Sequence, residues 1–366
     1  MPADSLETIG SRHGTDKSRQ LHGYLDFYER FLGELRERPV TLLEIGVLEG
    51  QSLRMWRDYF RNGRVIGVDI DPTVRRHAGE RIAIEIADQS NVADLVRLGV
   101  RHGPFDVVID DGSHIWEHQI TALRYLFPFV KPGGFFIVED LHTSYGALAE
   151  GFRGGGTVPT ARYLQGFCDY MVGDEALDIG AAPDAFIRSY ARATEFVAFH
   201  RRTALMRLRT DPAWPAPLAV VAPAEGGAAP AIALTAHLAF RGDEMREDGT
   251  GGRRYSHQSI QGFAITLPDA AADLQYRAVL HDHTWTDWSP GGTFLGSRGK
   301  SVALRGFAVR LAGELARRYH CVYAGAFVGA TEPVIARDGG ECRTPDGAEL
   351  EAMQVRLQPR TDQPGG

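Results

Sequence analysis

Between residues 41 and 140 the apolar positions fall in short, almost unbroken runs: TLLEIGV (41–47), RVIGVDI (64–70), RIAIEIA (81–87), FDVVIDD (105–111) and GFFIVED (134–140). Runs this short and continuous predict strands buried on both faces. Between them, LRMWRDYF and HQITALRYLFPFV space their apolar residues at helical intervals. The alternation predicts an α/β unit with a mostly parallel, doubly wound sheet. In such a sheet the ligand site lies beyond the carboxyl ends of the strands. The runs end in or just before acids there: Asp69, Asp71, Asp110, Asp111, Glu139 and Asp140.

Beyond residue 150 the pattern loosens. GFRGGG (151–156) reads as a loop, AFIRSY as a helix, and TEFVAFHRRTALMRL as two late antiparallel strands. A stretch dense in Pro, Ala and Gly, residues 211–231, predicts a linker. After it, short alternating segments separated by glycine-rich turns predict an all-β unit over 232–360. Three segments look alike, GFAITL, GFAVRL and AMQVRL, beginning at 262, 306 and 352. Each is preceded by another alternating segment: LTAHLAF, LQYRAVL or YHCVYAG. Three units of this length predict a three-fold pseudosymmetric fold, a β-prism or β-trefoil. A β-sandwich with similar hairpins is the alternative.

Bulk properties narrow the function classes. The 366 residues suffice for two cores, 1–210 and 232–360. A formal charge of −7 argues against nucleic acid, which prefers a basic face. No stretch reaches the roughly 18–20 apolar residues of a membrane span, and the N-terminus lacks a signal-peptide core. Three cysteines without zinc spacing fit reduced thiols and a cytoplasmic location. A homo-oligomer stays open.

The candidate chemistry sits at the strand ends. LLEIGVLEGQS places Glu44, Gly46 and Gly50 at a strand-to-helix turn, where glycine lets a ligand approach the backbone. The spacing is not the GxGxxG that seats a pyrophosphate, so a nucleoside without phosphates fits better. Asp69 is placed to accept from ribose hydroxyls, and Asp88 and Gln89 to read an adenine edge. Asp111, Glu139 and Asp140 come from strands expected to be neighbours. Clustered carboxylates need a cation, and oxygen ligands favour Mg²⁺ over zinc. His114, three residues past Asp111, is a candidate proton acceptor. Asp110 is assigned to the strand end on the cofactor side rather than to the metal. His118 reads as a solvent- or substrate-facing histidine, and His142 as a candidate substrate contact.

These motifs resemble class I methyltransferases that use S-adenosylmethionine on a Rossmann-like fold, with Leu48 where the family has its middle glycine. VVIDDGSHIWEHQ and FFIVEDLHTSY, with HGTDK (13–17) and HGYLDFYERF (22–31), are similar to magnesium-dependent sugar O-methyltransferases of macrolide and aromatic polyketide tailoring (mycinamicin and tetracenomycin rhamnose methyltransferase type). They are also similar to the cephalosporin hydroxylase-like group. The resemblance covers about residues 1–200. It implies Mg²⁺ on Asp111, Glu139 and Asp140, His114 as general base, and Gly46, Asp69 and Asp88 on the cofactor. Thr15, Asp16 and Lys17 would close over it.

Residues 274–311 resemble the clostridial hydrophobic-tryptophan repeat through Trp285, Trp288, Gly291, Gly292, Gly296, Gly299, Lys300 and Ser301, with Thr284 in place of the usual glycine. Trp285 and Trp288 are candidates either for stacking on a sugar or for packing the repeat core. The implied function is O-methylation of a glycoside or glycan acceptor. An O-methyltransferase for a non-sugar vicinal diol, and a glycan-binding protein with a degenerate catalytic domain, are the alternatives. The intact acidic triplet and His114 argue against degeneracy.

Overall fold

A computed structural model describes residues 4–172, 185–191, 193–210, 218–222, 229–254, 256, 258–268, 270–330 and 332–360. The chain divides into two compact units: Met1–Ala182 with Ala191–Pro212, and Pro183–Tyr190 with Ala213–Gly366. Much of the stretch 211–231, assigned to a linker, lies outside the described residues.

The first unit is built on a seven-stranded sheet. Its strands are β1 (Thr41–Ile45), β2 (Arg64–Asp69), β3 (Ile82–Ile86), β4 (Phe105–Asp110), β5 (Val130–Val138), β6 (Thr194–His200) and β7 (Thr203–Leu208), in the order β3-β2-β1-β4-β5-β7-β6. The first five are parallel, while β7 runs antiparallel to β5 and β6 antiparallel to β7. This is a mixed, Rossmann-like sheet. Leu42, Leu43, Val107, Val108, Ile109, Phe135, Phe136 and Ile137 are all fully buried. Helices on both faces cover these strands, hence the unbroken apolar runs. Strand order reverses between β1 and β4, the usual place for a ligand crevice.

Helices α1 (Leu6–His13), α2 (Leu25–Leu32), α3 (Gln51–Tyr59), α4 (Val92–His102) and α5 (Trp116–Leu126) pack around the sheet. Helix α4 was not evident in the apolar spacing. Asn91 caps it by accepting from the backbone N–H of Ala93 at 2.9 Å, and Leu95, Val96, Leu98 and Gly99 form its buried stripe. Helix α1 ends at Gly14 with φ +68, so residues 15–17 leave the helix and turn toward the strand ends.

The second unit holds three four-stranded sheets. Strands β8 (Ala233–Leu238), β9 (Gly242–Arg246), β10 (Thr250–Gly252) and β11 (Ile260–Thr266) come from the first third of this unit. The second supplies β12 (Leu274–Val279), β13 (Ser289–Pro290), β14 (Leu295–Gly296) and β15 (Gly306–Leu311). The third supplies β16 (Tyr319–Phe327), β17 (Val334–Arg337), β18 (Cys342–Arg343) and β19 (Leu350–Pro359). The sheet orders are β14-β11-β8-β9, β13-β12-β15-β18 and β10-β19-β16-β17. Every pair of look-alike segments is thus the central antiparallel pair of one sheet. Strands β10, β14 and β18 each join a sheet away from their chain neighbours, and β10 completes the sheet of β16, β17 and β19. All three sheets share one core, where Phe307 lies 5.9 Å from Phe263 and 5.4 Å from Tyr323, centroid to centroid. Before the first strand, Leu218 and Val221 pack on Ala324, Ala326 and Ala352, and Gln354 Oε1 accepts from the N–H groups of Val220 and Val221 at 3.0 and 2.8 Å. Residues 218–221 therefore belong to this unit, ahead of the expected start at 232. Among the described residues, no helix is long and apolar enough to cross a membrane.

Candidate active site

A cavity of about 570 Å³ opens at the carboxyl ends of β1, β2, β3 and β4. Ile45 to Leu48, Val68 to Ile70, Ala87 to Gln89, Asp111 to His114 and Asp140 line it, joined by Gly14 to Asp16 from beyond α1. Of the residues assigned to the cofactor, Thr15, Asp16, Gly46, Asp69, Asp88 and Gln89 face it, whereas Lys17, Glu44 and Asp110 are not in its lining.

The glycine-rich turn has a steric cause. Gly46 has φ +95, and a Cβ there would lie 2.0 Å from the carbonyl oxygen of Asp111. The loops after β1 and β4 therefore meet only because residue 46 has no side chain. Two positions on, Leu48 holds a left-handed φ of 48° and is 75% exposed, so the departure from the glycine pattern is tolerated by pointing outward. Asp69 fixes this loop. Its Oδ2 accepts from the N–H of Val47 at 2.9 Å and of Leu48 at 3.4 Å, and its Oδ1 from the N–H of Asp71 at 3.0 Å.

Gln89 has its amide engaged within the protein. Its Nε2 donates to both oxygens of Asp110, at 2.7 and 2.8 Å, and its Oε1 accepts from Ser113 N and Oγ, at 3.0 and 3.1 Å. Ser113 Oγ lies in turn 2.9 Å from His118 Nδ1. Gln89 thus braces the β4 loop from the β3 side. Burial pushes Asp110 up to about 7.

The acids form two layers. Toward the cavity, ligand atoms of Asp111, His114 and Asp140 all lie within 4.8 Å of one another. Behind them, fully buried Lys17 donates to Asp111 Oδ2 and to Glu139 Oε2 at 2.9 Å, with Glu44 Oε1 3.4 Å away. Burial alone would depress the Lys17 ammonium, but Asp111, Glu139 and Glu44 outweigh it and hold it well above its ordinary value. Burial raises Glu44 to about 7 against the pull of Lys17, and it raises Glu139 with help from Asp111. Glu139 Oε1 also accepts from Tyr28 at 3.0 Å, so both of its oxygens have protein donors. Tyr24 donates to Asp140 Oδ1 at 2.7 Å.

Three histidines surround Asp140. His114 Nε2 lies 3.6 Å from Oδ2, and the Nδ1 atoms of His22 and His142 lie 3.9 Å from Oδ1. The Nδ1 atoms of all three are buried without a hydrogen-bond partner. Burial lowers the His142 pKa. His22, Tyr24 and Tyr28 were not singled out as site residues. They lie in HGYLDFYERF, a stretch that carries the family resemblance, but its spacing assigns no partner to any one of them, and the acids they meet are more than 110 residues away.

Trp285 and Trp288 belong to the second unit and are not among the cavity's lining residues. They are neither core nor open. Both are half-buried, with the Arg277 guanidinium 4.1 Å from one ring centroid and 4.9 Å from the other, and Arg310 4.0 Å from Trp288. They form part of a tryptophan–arginine ladder.

A family profile described as "Methyltransferase domain" matches residues 43–141. Around it, the chain is 43% identical over 171 residues to 8-demethyl-8-alpha-L-rhamnosyl tetracenomycin-C 2'-O-methyltransferase of Streptomyces olivaceus, covering 45% of each chain. It is 43% identical over 148 residues to demethylmacrocin O-methyltransferase of Streptomyces fradiae, covering 38% of this chain and 37% of that one. It is 41% identical over 148 residues to mycinamicin VI 2''-O-methyltransferase of Micromonospora griseorubida, with the same coverage. The chain spans about half or less of the length of the curated relatives it matches. Among solved structures, MycE methyltransferase of the mycinamycin pathway, in complex with Mg, SAH and mycinamycin VI, is 30% identical over 58% of each chain, with a TM-score of 0.49. The methyltransferase domain match runs from β1 to Leu141, just past the acidic pair, and so takes in the cavity's strand-end residues.

Proposed function

We propose that this chain is a metal-dependent O-methyltransferase that transfers the methyl group of S-adenosylmethionine to a hydroxyl of a sugar, glycoside or glycan. The observation that carries the reading is the convergence of Asp111, His114 and Asp140 at the edge of the strand-end cavity. The named relatives methylate glycosides of tetracenomycin and macrolides, which supports a sugar acceptor.

The residues fit a hard divalent cation. Glu44, Asp111 and Glu139 share the one ammonium of Lys17, Asp140 stands beside them without it, and Glu44 Oε1 is buried without a hydrogen-bond donor. An excess of buried carboxylate calls for further positive charge. Asp111 and Asp140 would hold Mg²⁺. Glu139 would join them, since an oxygen that accepts from Lys17 keeps a second lone pair. Bound there, the ion supplies Lewis acidity toward the acceptor hydroxyl, and S-adenosylmethionine supplies the methyl group.

The chain's own residues do the rest. Gly46 and Asp69 shape the turn that takes the nucleoside, and Asp88 stands at the opposite wall. His114 would take the proton of the acceptor hydroxyl. Asp140, 3.6 Å from its Nε2, would stabilise the protonated ring. His142 lies beside Asp140 on the acceptor side.

We also read the division of the chain as a methyltransferase domain to about residue 210 and a prism-type β-unit beyond it, which the cyclic exchange of strands supports. A cytoplasmic location fits three free cysteines, Cys168, Cys321 and Cys342. Incubation with labelled S-adenosylmethionine, Mg²⁺ and a panel of glycosides tests the activity. Label on a glycoside hydroxyl, lost with chelator, is expected. Transfer that is unaffected by chelator would exclude the metal.

A further inference from the structure

We infer that Lys17 is a built-in counter-cation for the metal site, occupying the carboxylates while the site is empty and yielding Asp111 to the ion when it binds. The inference rests on the metal reading above and adds a residue that competes with the metal.

Three observations carry it. First, Lys17 bridges the ends of three strands: its Nζ contacts Glu44 on β1, Asp111 after β4 and Glu139 after β5. Without a cation, these carboxylates would repel one another across the switch point of the sheet. Second, Asp111 is shared. Its Oδ2 accepts from Lys17, while the same side chain, 21% exposed, belongs to the cluster with His114 and Asp140. Third, Lys17 is held rigidly and cannot be screened. Its side chain is 1% exposed, its carbonyl accepts from the N–H of Tyr24 at 2.9 Å, and Gly14 ends the helix before it. Tyr24 and Tyr28 donate to Asp140 and Glu139, so one N-terminal segment partners every acid of the proposed site.

A positive charge fixed this close to a divalent ion opposes its binding, even though it organises the ligands. A counter-cation and a mere scaffold therefore predict opposite signs. Deleting a scaffold disorders the ligands and weakens binding. Deleting a counter-cation removes repulsion and frees Asp111, which tightens it.

The test titrates MgCl₂ into the metal-free full chain by calorimetry at fixed ionic strength, for wild type, Lys17→Met and Lys17→Gln. Lys17→Gln keeps an amide donor for Asp111 and Glu139 and guards against a misfolded Lys17→Met. The expected result is Mg²⁺ affinity about ten-fold higher in the variants, the scale of one removed charge at a partly screened site. The thermal midpoint of the variants should also rise more on adding Mg²⁺ than that of wild type. Equal or weaker binding in a folded variant overturns the role of Lys17 alone. Absence of Mg²⁺ heat and of any thermal shift in wild type overturns the metal reading itself, and this inference with it.

Discussion

His114 and Asp140 stand in the same unusual backbone conformation, with φ of 57° and 56°, and His114 Nε2 lies 3.6 Å from Asp140 Oδ2. Left-handed geometry costs an ordinary residue roughly 1–2 kcal/mol. Two such residues aimed at each other across neighbouring strand ends mark a place where the fold gives up stability to hold an imidazole against a carboxylate.

In the proposed reaction His114 is the proton acceptor. His114→Ala is expected to lower turnover by about 10²–10⁴-fold, the usual effect of losing a positioned base. Binding of S-adenosylmethionine should persist, because Asp69 and the glycine-rich turn are untouched. Single-turnover kinetics alongside binding calorimetry separates the two. Near-normal turnover in the variant would shift the role to His142 or His118.

Asp69 is expected to act through the loop it holds. It accepts three backbone N–H groups, and hydrogen bonds to a charged acceptor contribute about 1.5–3 kcal/mol each. Asp69→Ala should therefore weaken S-adenosylmethionine binding and raise hydrogen exchange at Val47 and Leu48. Unchanged exchange with weakened binding would show that Asp69 only touches the ligand.

Stability should depend on pH through Glu44. Burial holds its folded pKa at about 7, above the ordinary 4.5. The folded state then binds more protons than the unfolded state between those values, so metal-free protein loses stability as pH rises from about 4.5 to 7. The loss should reach roughly 3.5 kcal/mol at most, at about 1.4 kcal/mol per pKa unit. Glu44→Gln should flatten that part of the curve in urea unfolding with chelator present. The same slope in both proteins would assign the effect to other groups.

The β-unit should fold alone when it includes its first packed residues. A fragment of residues 218–360 is expected to unfold cooperatively and at a higher midpoint than 232–360, because Leu218 and Val221 cover Ala324 and Ala352 and Gln354 accepts from the backbone N–H groups of Val220 and Val221. Phe307→Ala should cost either fragment about 3–5 kcal/mol, as it empties the shared centre of three sheets. Calorimetric scans of the three proteins check this, and equal midpoints for the two fragments would show that 218–231 adds nothing.

The amino-acid sequence by itself determined what is local or periodic. Apolar runs marked β1 to β5, since a strand buried on both faces must be apolar throughout. Alternation marked the six central strands of the β-unit, which pair two by two in its three sheets. Strand-end acids and His114 were legible because a doubly wound sheet brings strand ends together. What tertiary structure alone decided is which partner each polar atom has. Lys17 looked like a residue closing over a cofactor and is instead buried among three carboxylates, the most distant 122 positions along the chain. Gln89 looked like a reader of adenine and is spent on Asp110 and Ser113. Trp285 and Trp288 are neither core nor open platforms, because arginines from other strands lie over them. The crossing of β10, β14 and β18 into neighbouring sheets was equally hidden, for strands of two or three residues carry no period. In each case the pairing depends on contacts far apart in sequence, and a side chain's own neighbours along the chain hold no record of them.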